Sequence, residues 1–147
     1  MSHPTDDALL EFSRVFDASA EDLFHAWIDR EEWQSWIGPE GTQSEVQVLE
    51  PRVGGRYRLL MTLTSGQQIT VVGVYKAIDP PRTLAFTWGR EGGEHDSLVT
   101  LSFRSVTAGT ELTLRHQGLL TIENRDGHGK GWNSALNKLE SRVRKCP

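Results

Sequence analysis

Apolar residues in the middle of this chain return at every second position. Leu84, Phe86 and Trp88 form one such run, Val99, Leu101 and Phe103 a second, and Leu112 and Leu114, continued by His116, a third. Side chains of an extended strand alternate between two faces, so each run marks a buried face, and Thr, Ser, Arg and Glu fill most of the positions between. Turn chemistry divides the runs at Arg52-Val53-Gly54-Gly55, Ser65-Gly66, Asp79-Pro80-Pro81, Glu91-Gly92-Gly93-Glu94 and Thr107-Ala108-Gly109-Thr110. Short turns between consecutive strands predict an antiparallel meander over residues 42–118, with one covered face and one wet face. A register one residue different would send His116 outward with the rest of its row.

The period changes at both ends of the chain. Leu10, Phe12, Val15 and Phe16 predict a short first strand, although their alternation is imperfect. Ser19 then offers a helix N-cap with Asp22 three residues on, and Leu23, Phe24, Trp27 and Ile28 follow at helical spacing. Asp29 repeats the device with Glu32 for a second short helix that carries Trp33 and Trp36 and stops at Gly38-Pro39. Near the C-terminus, Trp132, Leu136, Leu139 and Val143 lie on one helical stripe, and Arg142, Arg144 and Lys145 suit the negative end of that helix. Gly127, Gly129 and Gly131 each weaken a helix by about 1 kcal/mol relative to Ala, so two starts compete, one near Thr121 and one after Gly131. The earlier start, with a soft glycine-rich first half, is the expectation. Residues 1–8 read as a flexible leader and 9–147 as a single domain.

Composition narrows the functional classes. The chain has 147 residues with 16 Lys and Arg against 20 Asp and Glu, and its basic residues are scattered, which argues against nucleic-acid binding. No apolar run approaches the roughly 18 residues of a membrane span, and the N-terminus has no apolar signal core. The single Cys146 has no internal disulfide partner, so a cytoplasmic setting is the simplest expectation. Glu94-His95-Asp96 is a turn triplet whose side chains diverge, and no metal or other cofactor is expected. Gly127-His128-Gly129-Lys130-Gly131 lacks the Ser or Thr that follows Gly-Lys in a phosphate loop. The serines lie in no nucleophile-elbow pattern.

Strand, two short helices, six-strand meander and long terminal helix together resemble the helix-grip fold of the SRPBCC or START-like superfamily. Within it the chain is similar to the homologues of the activator of heat-shock protein 90 ATPase. The resemblance rests on Phe16-Asp17-Ala18, Trp27, Trp36-Ile37-Gly38-Pro39, Val53-Gly54-Gly55-Arg56-Tyr57, Gly73, Ile78-Asp79-Pro80-Pro81-Arg82-Thr83-Leu84, and His128-Gly129-Lys130-Gly131-Trp132 with Leu136 and Leu139. It implies an α+β domain in which a curved antiparallel sheet grips the C-terminal helix, with a cavity between them that in many relatives holds an apolar or amphipathic small molecule. A shared fold does not carry a shared reaction.

Trp36, Tyr57, Met61, Phe86, Trp88, Phe103 and Trp132 are the candidate walls of that cavity, with His116 and Arg90 as its polar groups. The ordinary alternative is core packing for the aromatic residues, above all Trp27 and Trp132, and for His116 a buried imidazole satisfied by its neighbours. Trp88 stands apart because it precedes the Gly89–Gly93 turn, where a cavity would open. The leading expectation is small-molecule binding. An enzyme such as a cyclase, isomerase or hydrolase is the alternative that would use His116 as a base, and a chaperone ATPase-regulating partner is suggested by the family name alone. A second copy of the chain, paired through an edge strand, is a further candidate partner.

Overall fold

A computed structural model of the chain describes residues 9–93, 96–119 and 122–143. The leader over residues 1–8, Glu94 and His95 of the turn triplet, and Cys146 lie outside the described residues. The strands are β1 (Leu10–Phe16), β2 (Gln43–Leu49), β3 (Arg56–Thr62), β4 (Gln68–Asp79), β5 (Thr83–Arg90), β6 (Ser97–Val106) and β7 (Gly109–Gln117). The helices are α1 (Ala20–Ile28), α2 (Arg30–Trp36) and α3 (Ile122–Val143). All seven strands form one curved antiparallel sheet in the order β1-β7-β6-β5-β4-β3-β2, so α1 and α2 carry the chain from one edge to the other. The helix-grip α+β architecture expected from the element order is the one found.

Local chemistry explains the boundaries. Ser19 Oγ accepts from the Asp22 N–H and Asp29 Oδ2 from the Glu32 N–H, each at 3.1 Å, so both short helices are capped as their sequences predict. The alternation in β5, β6 and β7 is realised as a shared buried face: Leu84 and Phe86, then Val99, Leu101 and Phe103, then Leu112, Leu114 and His116. Helices α1, α2 and α3 cover that face with Leu23, Phe24, Trp27, Trp33, Trp36, Trp132, Leu136 and Leu139. The imperfect pattern of β1 also has a cause. Its inward position Arg14 is polar because the guanidinium spans to α3, donating to Asn137 Oδ1 at 2.8 Å and Asn133 Oδ1 at 2.6 Å, while Val15 faces out, 46% exposed.

Two irregularities shape the sheet near its middle. The ladder between β4 and β5 shifts register between Tyr75 and Ala77, and Gly73 lies where Tyr57 crosses from β3. A Cβ at Gly73 would come within 2.0 Å of the Thr87 carbonyl oxygen and 2.6 Å of the Tyr57 hydroxyl, so only glycine admits the crossing. Through this gap Tyr57 donates to the Thr87 carbonyl at 2.5 Å. Helix α3 runs from Ile122 through all three glycines, the earlier of the two starts.

Candidate functional site

The sheet and α3 do not close on each other along their whole length. Over the C-terminal half of α3, Leu136 and Leu139 are wholly buried, whereas Gly127 and Gly131 present no side chain to the sheet. An open-mouthed recess of about 540 Å³ lies there. Its floor is Met61 on β3, Ile69 and Val71 on β4, Trp88 on β5 and Ser97 on β6. Gly127, His128, Gly131, Trp132 and Ala135 of α3 form the roof, and Ile37-Gly38-Pro39 and Gly118-Leu119 the sides. Gly89 and Arg90 complete the lining at the end of β5.

Of the expected wall residues, the structure brings Met61, Trp88 and Trp132 together on the recess, with Arg90 beside them. Trp36, Tyr57, Phe86 and Phe103 are placed elsewhere, in the solid part of the core. Trp36 is fully buried, donates its indole N–H to the Ala26 carbonyl at 3.1 Å and meets Trp27 edge-on at 4.6 Å. Tyr57 is tied to Thr87, and burial raises its hydroxyl pKa well above the ordinary value. Phe86 is enclosed by Trp27, Trp33, Tyr57 and Tyr75, and Phe103 meets Phe24 in a tilted contact at 5.2 Å. Ile69, Ser97, Gly127 and Gly131 were not singled out as lining from sequence. Ser97 shares the parity of Val99 and Leu101, and that was the available signal.

His116 is wholly buried one layer behind the recess, where it joins the two aromatic walls. Trp132 Nε1 donates to His116 Nδ1 at 3.0 Å, and His116 Nε2 lies 2.6 Å from Ser97 Oγ, which in turn donates to the Trp88 carbonyl at 2.8 Å. An indole nitrogen only donates and a carbonyl oxygen only accepts, so the chain has one consistent proton assignment. His116 is neutral, with its proton on Nε2. Burial, and then the imidazole of His128 at 5.0 Å, lower its pKa to about 3. With the Nδ1 lone pair engaged by Trp132, His116 presents no free base to the recess. In this geometry it tethers the Trp132 indole directly and, through Ser97, the backbone of Trp88, and the two rings stand 5.1 Å apart.

The chemistry of the lining is therefore mostly apolar. Its polar side-chain groups are the two indoles, the Ser97 hydroxyl, the His128 imidazole and the Arg90 guanidinium. Comparison with known proteins agrees with the architecture. Residues 17–144 match the family model described as activator of Hsp90 ATPase homolog 1-like protein, AHSA1. The chain belongs to the AHSA1 family. Among solved structures, this AHSA1 domain is similar to the AHSA1 protein from Silicibacter pomeroyi, at 29% identity and TM-score 0.81 over 92% of this chain and 96% of that one. A protein from Rhodobacter sphaeroides matches at 27% identity and TM-score 0.82, covering 96% and 95% of the two chains. One from Chromobacterium violaceum shares the fold at TM-score 0.85 with 24% identity, over 95% and 99%. No curated protein matches this chain. Among the described residues no helix is long and apolar enough to cross a membrane.

Proposed function

We propose that this AHSA1-family protein binds a small apolar or amphipathic molecule in the recess between the sheet and the first half of α3. One observation carries the reading: the volume of about 540 Å³ is walled by Trp88 and by Trp132, whose indole is held by His116. That volume falls in the range of roughly 300–1,000 Å³ common to small-molecule sites, and the mixture of an apolar lining with a few polar groups is their usual character. Burial of ligand surface at about 25 cal/mol per Å² supplies affinity without any reaction. The engaged Nδ1 of His116 weighs against the enzyme that would use it as a base.

The test uses the neutral fluorescent probe phenylnaphthylamine and the variant Gly127→Leu. A Cβ at Gly127 meets no atom within 4 Å, so the new side chain extends into the recess without disturbing the core. The wild type is expected to bind the probe with enhanced emission, and Gly127→Leu to bind it at least about tenfold more weakly while its thermal midpoint is kept or raised. Equal binding by both proteins would place the probe elsewhere and overturn the assignment. A wild type that binds no probe but stimulates the ATPase of an Hsp90-type chaperone would favour the partnership for which the family is named.

A further inference from the structure

Arg90 continues the inward row of β5. It pairs directly with Val71 across the β4–β5 ladder, and directly opposed residues share a face of a sheet. Val71 is buried and lines the recess, so the Arg90 side chain leaves the sheet on the recess side, where it is exposed at the rim. Several other arginines are engaged by a carboxylate, among them Arg58 with Glu91, Arg104 with Glu111, Arg115 with Glu11 and Arg142 with Glu32. Among the described residues Arg90 has no such partner. No Asp or Glu is among the described lining residues, and Glu40, next to the Pro39 wall, interacts instead with Lys138.

An apolar recess whose mouth carries a guanidinium with no acidic partner among the described residues, in a chain of formal charge −4, selects by charge as well as by shape. We infer that its ligand is an amphipathic anion, with an apolar body packed against Trp88 and Trp132 and one acidic head group, of carboxylate or sulfonate type, paired with Arg90. This rests on the binding reading above and deepens it. A planar guanidinium meets such a group with two parallel N–H donors, whereas a neutral or cationic head group gains nothing there and a cation is repelled. The half-open position lets the head group remain partly hydrated, so the cost of desolvating the ion pair stays small.

Two probes with one aromatic skeleton separate charge from shape: phenylnaphthylamine, which is neutral, and anilinonaphthalene sulfonate, which is anionic. Both are titrated by fluorescence into the wild type, Arg90→Gln and Arg90→Lys at low and at high salt. The wild type is expected to favour the sulfonate about fivefold to tenfold, a preference that falls to near one in Arg90→Gln, is partly restored in Arg90→Lys, and shrinks with salt. Binding of both probes with no preference in the wild type, or a preference that survives in Arg90→Gln, would overturn the inference and leave the recess a neutral apolar site. Binding of neither probe would overturn the binding reading itself, and this inference with it.

Discussion

An indole can only give its proton and a peptide carbonyl can only take one, which fixes what the residues between Trp132 and Trp88 must do. His116 accepts on one nitrogen and donates from the other, and a glutamine side chain offers the same pair of functions. In chemical denaturation, His116→Gln is expected to cost less than His116→Ala, which would lose about 2–4 kcal/mol by opening a cavity and leaving Trp132 and Ser97 without partners. Acid gives a second test. The pKa of His116 is lowered in the fold, from 6.5 to about 3, so the unfolded chain binds the extra proton first as pH falls. Its contribution is intact above about pH 6.5 and declines towards pH 3, where the loss reaches about 4 kcal/mol. The denaturation free energy of the wild type should therefore fall more between these limits than that of His116→Gln; parallel curves would mean that His116 titrates normally. The inward direction of His116 was legible from the parity of Leu112 and Leu114. Its tautomer was not, because that is set by Trp132 and Ser97, which are remote in sequence.

At the scale of the element, α3 is two helices in one. Its second half carries the apolar stripe and the contacts from Arg14 and from Glu32 to Arg142, and its first half carries glycines. The stripe was readable by spacing, but propensity alone argued for a break at the glycines, and tertiary packing carries the helix through them. Gly127→Ala should raise the unfolding free energy by about 0.5–1 kcal/mol, since the methyl meets nothing, and should at the same time narrow the recess. Thermal denaturation together with probe titration checks both halves: greater stability with weaker binding is expected, whereas greater stability with unchanged binding would place the ligand away from α3. In β1 the broken alternation reflects Arg14, a polar residue on the inward row whose partners on α3 lie more than a hundred residues away. No local pattern announces such a pair.

The whole molecule was the most legible scale and its site the least. Alternation and turn chemistry were enough to set seven antiparallel strands against a terminal helix, because each is a local rule repeated along the chain. Alternation assigns a side chain to a face, however, and does not say how far along the grip it falls. Trp36, Tyr57, Phe86 and Phe103 share the inner side with Met61 and Trp88, yet they sit where α1 and α2 fill the grip and not where α3 stands clear. The same division separates the five indoles. Trp27 and Trp33 are sealed, and their N–H groups have no hydrogen-bond partner among the described residues, while Trp88 is half-buried at the recess. The protein thus carries its own optical gauge: a blue-emitting core population shielded from acrylamide and a redder component from Trp88 that the quencher reaches. A molecule entering the recess should silence the second while leaving the first unchanged, reporting occupancy without any added dye.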